Sequence, residues 1–203
     1  MTMKLFYTPT SPYARKVRIV ALEKGLQDKI SEVIAPPSDN PPELQKTNPL
    51  GAIPALLLEN GESIYDSMVI GAYLDSLSKD NPLYPSSGME KFRTMRAEAL
   101  ANGVMESGVA IVYERRRTDT GVSQKIVDKH LKAIDRCLPV MESESANFGK
   151  DIDIRQIAFG AALGYIAFRL PEVNWPAKAP KLAKWYEAFS QRPSIKATEP
   201  KDL

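Results

Sequence analysis

The sequence predicts two domains, an α/β domain with the element order βαβαββα and an all-helical domain after it. Up to residue 78, short apolar runs alternate with stretches of helical periodicity, which is typical of helices packed on a mixed sheet. Residues 79–88 are polar and contain two prolines, as expected of a linker. From residue 89 to residue 203 the apolar residues recur with helical spacing only. We therefore expect one domain at 1–78, a linker at 79–88 and a second domain at 89–203.

The first domain is predicted from local signals in chain order. Pro12 suits the first position of a helix, Val17 and Val20 share one face of it, and Gly25 is a C-terminal stop. The Asn60-Gly61 pair is a strong hairpin signal between the last two strands. The predicted elements are a strand at 4–7, a helix at 12–24, a strand at 30–35, a proline-rich loop with a short turn, strands at 55–58 and 63–65, and a helix at 67–77.

The second domain is predicted to contain long helices. Its near-apolar run 157–168 is too short to span a bilayer, so we expect a buried helix there. The predicted helices lie at 89–113, 122–141, 154–168 and 181–190, with a short turn from residue 194.

Composition excludes several classes of protein. The 27 basic and 25 acidic residues give a net charge of +2, so nucleic acid is not an expected partner. One cysteine and one histidine in 203 residues argue against a disulfide framework, a metal site and a Cys-His catalytic pair. The sequence begins without a signal-peptide pattern and has no membrane-spanning run. These features predict a cytoplasmic protein without a metal or a membrane partner.

A serine lies where the first strand turns into the first helix. Backbone N–H groups and the helix dipole favour an anion at such a turn, and Ser11 is placed at or beside the N-cap. Asp66 and Ser67 open a later helix in the same way. Taken alone, each of these residues is better explained as a helix cap.

Three segments together resemble the cytosolic glutathione S-transferases of the serine type, as found in bacteria. They are Ser-Pro-Tyr-Ala-Arg-Lys-Val-Arg from Ser11, Asn-Pro-Leu-Gly-Ala-Ile-Pro-Ala-Leu from Asn48, and Tyr-Asp-Ser from Tyr65. Their order, spacing and predicted elements match that family over nearly the whole chain. The resemblance implies a thioredoxin-like first domain, glutathione as co-substrate and a homodimer.

The resemblance also implies a role for each motif residue. Ser11 would donate a hydrogen bond to the glutathione thiolate, with Tyr7 as the main alternative and Thr10 as another possible donor. A cis bond between Ile53 and Pro54 would let the Ile53 backbone pair with the cysteinyl part of glutathione. Two further residues would bind the γ-glutamyl group of glutathione. Ser67 would hold the carboxylate of that group, and Asp66 would pair with its ammonium.

The pocket for an electrophilic second substrate is expected in the helical domain. Tyr113, Arg117 and Tyr165 are its candidate residues. A solvated basic helix end is the competing interpretation for the arginine, and core packing is the competing interpretation for the tyrosines. Members of that family usually carry a Ser/Thr-x-x-Asp capping box in the helical domain. The corresponding residues here are Asp153 and Gln156, a departure in which we still expect Asp153 to cap the helix and Gln156 to reach back to it.

The sequence leaves two classes of function open. The first is an enzyme whose bound thiolate attacks a soft electrophile or a peroxide, and the second is a binding or regulatory protein that keeps the fold without turnover. A dimer would place the last helix of the first domain near the first long helix of the second. The resemblance implies an aromatic residue in the loop before the third strand that locks the dimer. Loop 47–52 has none, so we expect a flatter and more polar interface that dissociates on dilution. Four methionines are candidates for its apolar contacts: Met68, Met89, Met95 and Met105.

Overall fold

The computed structural model describes residues 2–202, which form two compact units. The first unit contains the residues before Ser86 together with those from Pro193 onward, and the second is Ser86–Arg192. In the described part of the chain, no helix has the length and apolar character needed to cross a membrane.

The first unit is built on a four-stranded sheet and confirms the predicted element order. Its elements are β1 Met3–Tyr7, α1 Pro12–Glu23, β2 Ile30–Ile34, α2 Pro42–Thr47, β3 Ala55–Leu57, β4 Ser63–Ile64 and α3 Ser67–Ser76. The strand order is β2-β1-β3-β4. β1 is parallel to β2 and antiparallel to β3, and β3 is antiparallel to β4. The mixed sheet follows, since only the β1–β2 connection contains a long helical crossover.

Both faces of the central strand are covered. Successive side chains of a strand point to opposite faces, and both Leu5 and Phe6 are fully buried. Phe6 lies in a cluster with Leu44 of α2 and Ala55 of β3, against which Ile53 packs. Gly25 ends α1 with a φ of +64°, a backbone conformation that glycine adopts without a steric penalty.

The second unit contains five helices within its described residues, and α4 packs against both α5 and α6. They are α4 Gly88–Arg115, α5 Gln124–Ser145, α6 Ile154–Arg169, α7 Trp175–Lys178 and α8 Pro180–Phe189. The short helix α7 was not predicted, because one turn is too short to show an apolar periodicity.

Helix α6 is the buried helix that its sequence predicts. The Asp153 carboxylate accepts hydrogen bonds from the N–H groups of Arg155, at 2.8 Å, and Gln156, at 3.2 Å. The Gln156 side chain accepts one from the Asp153 N–H at 2.9 Å, which confirms the capping box. At Gly160 an added Cβ would lie 2.5 Å from the Phe189 ring, so only glycine permits this close approach.

The last helix, α9 Pro193–Ala197, groups with the first unit and not with the helical residues to which the sequence assigned it. Two contacts to α1 explain this grouping. The Arg15 guanidinium donates to the Ile195 carbonyl at 3.3 Å, and the Ser194 hydroxyl donates to the Glu23 carboxylate. These contacts span most of the chain length, so no local pattern could reveal them.

A buried lysine organises the end of the first unit. The Lys24 ammonium forms an ion pair with Asp75 at 2.9 Å, and its side chain is only 1% exposed. It also donates to the carbonyl groups of Ser78, Asp80 and Asn81, at 3.1, 2.6 and 3.2 Å. The carboxylate of Asp75 in turn accepts from the backbone of the segment that follows, at 2.9 Å from the Leu83 N–H. This pair therefore shapes the segment that the sequence predicted as a linker.

We expect Asp75→Asn to lower the free energy of unfolding by about 3–5 kcal/mol, because it leaves the Lys24 charge buried without its counter-charge. Urea denaturation of the purified protein measures this loss. The control is Glu43→Gln, which breaks the Lys4–Glu43 pair, whose side chains are 47% and 50% exposed. An exposed pair contributes about 0–1 kcal/mol, so equal losses in the two variants would contradict the assignment.

Candidate functional site

Ser11 is the N-cap of α1. Its hydroxyl oxygen accepts a hydrogen bond from the Ala14 N–H at 3.2 Å, and its own N–H donates to the Thr8 carbonyl at 3.1 Å. The side chain is half-buried. A serine hydroxyl that accepts in this way keeps its proton for a second partner. Ser11 can therefore cap the helix and donate to an anion at the same time.

The alternative donors have other surroundings. The Arg18 guanidinium lies 4.7 Å from the centre of the Tyr7 ring and pairs with Glu32 at 2.6 Å. Burial, the negative charge of Glu32 and hydrogen bonding to that carboxylate raise the pKa of Tyr7, while Arg18 opposes the shift. The Thr10 hydroxyl lies 3.1 Å from that of Thr8. The surroundings of Tyr7 could not be predicted from the sequence, because Arg18 and Glu32 meet Tyr7 only after the sheet has formed.

The loop before β3 presents a backbone edge. The Ile53–Pro54 peptide bond is cis, as predicted. Within residues 2–202, the N–H and C=O groups of Ile53 form no hydrogen bond with another backbone group. The buried Asn48 side chain holds this loop, donating to the Ala52 carbonyl at 2.8 Å and accepting from the Leu50 N–H at 3.1 Å. Asn48 is a positioning residue that the motif contains but that sequence analysis did not single out.

Asp66 is the N-cap of α3. Its Oδ1 atom accepts from the N–H groups of Met68, at 3.0 Å, and Val69, at 3.5 Å. Its Oδ2 atom makes no hydrogen bond to any described residue. Ser67, the first residue of α3, is 2% exposed. One carboxylate can therefore cap the helix with one oxygen and offer the other to a cation.

The sheet register brings these three places together. Phe6 of β1 lies opposite Ala55 of β3, so the segment after β1 and the segment before β3 meet at one end of the sheet. Ile64 of β4 lies opposite Leu56, so the segment after β4 reaches the same end. Ser11, Ile53 and Asp66 follow or precede these strand ends within a few residues. Two helix N-termini and an unpaired backbone edge thus share one end of the first unit, where partial positive charge favours an anionic ligand.

The candidates for the second substrate lie in the helical unit. Tyr113 is 62% exposed near the end of α4, whereas Tyr165 is 4% exposed on α6. Burial raises the pKa of Tyr165 to about 12, against the opposing charges of Arg169 and Arg116, and Tyr113 adds to the rise. Tyr113 is therefore accessible to a ligand, whereas Tyr165 is packed in the interior of the helical unit.

Arg117, the third candidate, has other partners. Its guanidinium lies 3.3 Å from Asp119 and 3.5 Å from Glu114. It is not among the groups whose charge acts on Tyr165, whereas the neighbouring Arg116 is. The sequence could not separate these arginines, because consecutive residues of a helix end point in different directions.

The free cysteine and the residue types that bind metal ions are the remaining candidates for a reactive site. Burial raises the pKa of the half-buried Cys137 thiol, with Arg136 opposing, so this cysteine is a poor nucleophile. In the part of the chain that the structure describes, no three His, Cys, Asp or Glu side chains are grouped to hold a metal ion.

Comparison with known families decides the identity of the fold. The family model for the glutathione S-transferase N-terminal domain matches residues 10–77, and the model for the C-terminal domain matches residues 114–188. The chain belongs to the glutathione S-transferase family. Its fold is the one shared by that family, a small mixed-sheet domain and a helical domain.

Relatives of this transferase-family chain extend over its whole length. The uncharacterized GST-like protein YibF of Escherichia coli K12 is 32% identical over 98% of each chain. A glutathione transferase family member from Pseudomonas fluorescens Pf-5, solved with glutathione, is 38% identical with a TM-score of 0.92, covering 99% of this chain and 100% of that one. A second structure from that organism holds S-(propanoic acid)-glutathione and is also 38% identical, with a TM-score of 0.88 over 100% of this chain and 99% of that one. The family match and these glutathione-bound relatives support glutathione transferase function.

Proposed function

We propose that this protein binds glutathione at the sheet end formed by Ser11, Ile53, Pro54, Asp66 and Ser67 and that the bound thiolate attacks an electrophile. The observation that carries the proposal is the Ser11 hydroxyl, which caps α1 and still has a proton to donate. Glutathione-bound relatives at 38% identity support the choice of ligand. In the reaction, a carbon–sulfur bond forms as the leaving group departs from the electrophile.

The energy that Ser11 must supply is modest. A thiol with a pKa of about 8.5 is mostly protonated at neutral pH, and lowering that pKa by about two units makes it mostly ionised. The shift corresponds to about 2.7 kcal/mol. One hydrogen bond to an anion contributes about 1.5–3 kcal/mol, and a helix N-terminus adds about 0.3–1 kcal/mol. Tyr7 is the weaker alternative, because burial and the negative charge of Glu32 raise the pKa of its hydroxyl and so make it a poorer donor to a thiolate.

The other contacts follow from the groups that are left without partners. The N–H and C=O groups of Ile53 can pair with the cysteinyl backbone of glutathione as an added strand would. The Oδ2 atom of Asp66 can meet the γ-glutamyl ammonium while Oδ1 caps α3. Ser67 and the N-terminus of α3 can hold the γ-glutamyl carboxylate.

The setting and the product class follow from the ligand. Reduced glutathione and a free cysteine suit the cytoplasm, where we place the protein. One relative was solved with S-(propanoic acid)-glutathione, a ligand whose sulfur substituent contains a carboxylic acid. Conjugates of this kind are products to test with this chain.

We also propose a homodimer. Each unit exposes large apolar side chains, Leu50 and Val69 in the first and Met89 and Phe92 in the second, at 75%, 53%, 64% and 62% exposure. These exposed apolar side chains are available to pack against another protein surface. Met105, which sequence analysis proposed for the interface, is fully buried and belongs to the core.

We expect Ser11→Gly to lower kcat with glutathione and 1-chloro-2,4-dinitrobenzene by more than roughly tenfold, with little change in the Kd of glutathione, because the lost bond acts mainly on the thiolate. Glycine is a good N-cap, so helix stability changes by only a few tenths of a kcal/mol. Ultraviolet titration of bound glutathione should show its thiol pKa rising. Tyr7→Phe is the control, and a near-normal Ser11→Gly beside an inactive Tyr7→Phe would transfer the role to Tyr7.

We expect Asp66→Asn to weaken glutathione binding by roughly 5- to 30-fold, since a contact to the ammonium is worth about 1–2 kcal/mol at an exposed site. Asparagine caps helices as well as aspartate does, so α3 is preserved. Calorimetric titration with glutathione and S-methylglutathione measures Kd, and Asp28→Asn is the matched control. If the wild-type protein binds neither ligand at millimolar concentration, the glutathione site is wrong.

We expect sedimentation equilibrium at micromolar concentration to detect a dimer. Phe92→Ser should raise the dissociation constant of this dimer at least roughly tenfold, because the interface loses the apolar contact of the ring. Val122→Ser, at a residue 49% exposed, is the control and should leave it unchanged. A wild-type protein that stays monomeric with glutathione bound would refute the dimer.

A further inference from the structure

Four basic side chains form a row on the solvent-exposed face of α5. This basic row consists of Lys125, Lys129, Lys132 and Arg136, all of them exposed. Their spacing of four, three and four residues places them within roughly 60° of one another around the helix axis and spreads them over about 16 Å along it. All four belong to one helix of the second unit, so the row is fixed by the backbone of α5 alone.

The basic row lines a shallow depression of about 550 Å³. A fifth residue, Asp128, also lines it. The Oδ1 atom of Asp128 accepts a hydrogen bond from the Gln124 side chain at 2.7 Å. Asp128 is rotated about 60° from Lys125 around the helix axis, so it lies at the edge of the row. The depression therefore has a cationic lining with one carboxylate at its border.

The positive charge of the basic row is not neutralised by the protein. Within residues 2–202, the charged groups of its four side chains form no ion pair and no hydrogen bond. Several other basic side chains of this unit are paired, as Arg115 is with Glu172 at 2.6 Å. Asp135, which follows the third lysine of the row by three residues, pairs instead with Lys178 of α7 at 2.7 Å. The row therefore keeps its charge for a partner outside the chain.

The row is unfavourable for the helix that carries it. Like charges three or four residues apart on a helix repel each other, and every neighbouring pair in the row has this spacing. Lys125 also lies in the first turn of α5, where the helix dipole repels a cation and where no acidic residue is present. An anion held in the depression would relieve both repulsions.

We propose that the basic row and its depression bind a ligand that carries three or more linked phosphate groups. A singly charged anion would contact one or two of the four side chains, whereas a polyphosphate brings several negative charges into the depression at once. Lysine supplies three rotatable donors, and arginine supplies a pair of parallel donors for phosphate oxygens. The site belongs to the second unit, whereas the proposed glutathione site belongs to the first.

Size and charge favour this ligand over an anionic polymer or a membrane. The depression has a volume within the range of about 300–1,000 Å³ that is usual for small-molecule sites. A nucleic acid or a lipid surface would extend well beyond the row, and the chain as a whole has a net charge of only +2. A merely solvated basic face is the simpler interpretation, and it predicts that any exposed lysine contributes as much as those of the row.

Calorimetric titration of the whole chain with inorganic tripolyphosphate, at low ionic strength and without divalent cations, tests the site. We expect the double variant Lys129→Gln and Lys132→Gln to raise the Kd at least roughly tenfold, because two central charges are lost. The double variant Lys181→Gln and Lys184→Gln removes two exposed lysines of α8 and should change the Kd by less than about twofold. Asp128→Asn should lower the Kd at least roughly twofold, since it removes the carboxylate at the border of the depression.

Three results overturn the site. The wild-type protein does not bind tripolyphosphate at millimolar concentration, or the two double variants lose affinity equally, or a single-stranded oligonucleotide or phosphatidylglycerol vesicles bind while tripolyphosphate does not. Glutamine is a good helix former, so the substitutions at these exposed positions leave α5 and α8 intact, which circular dichroism checks.

A second titration, with adenosine triphosphate, identifies the source of the phosphate groups. Equal Kd values for the nucleotide and for tripolyphosphate support a site that recognises the phosphate chain alone, and a lower Kd for the nucleotide supports a site in which the nucleoside also makes contacts. Neither titration requires glutathione or turnover, so the result is independent of the proposed transferase function.

Discussion

The antiparallel register between β1 and β3 determines where every candidate glutathione contact lies. Phe6 opposite Ala55 brings the turn after β1 beside the turn before β3, and the β3–β4 pairing adds the start of α3. A slip of one residue would exchange the faces of Leu5 and Phe6, both of which are buried. The register is therefore held by the core on both sides of the sheet, and the site inherits its geometry from that core.

At this sheet end, the backbone supplies most of the polar groups. Two helices begin there, and each leaves N–H groups that a side chain can satisfy only in part. Ser11 and Asp66 each satisfy such groups and keep one further function, a proton in one case and a carboxylate oxygen in the other. The loop between them is held by Asn48 and presents the Ile53 backbone. A tripeptide with charges at both ends and a thiol between them matches this series of groups.

In the helical unit, α6 packs closely against its neighbouring helices. Gly160 admits the Phe189 ring, and Gly108 admits Tyr165. Burial makes it costly to ionise that tyrosine, so its hydroxyl stays a donor at physiological pH. At the end of α4, Arg115 and Arg117 pair with Glu172 and Asp119.

The sequence by itself determined the element order, the capping residues and the motif positions, because these depend on contacts within a few residues. Ser11 and Asp153 were recognised as caps for this reason, and the spacing of the three motifs was enough to identify the family. The roles of Ser11, Ile53 and Asp66 remain proposals that the geometry supports. Tertiary structure decided what depends on distant partners. It grouped α9 with the first unit, placed Arg18 against the Tyr7 ring, paired Lys24 with Asp75 and buried Met105. Local patterns carry no information about these contacts, since each joins residues whose approach is set by the packing of whole helices and strands.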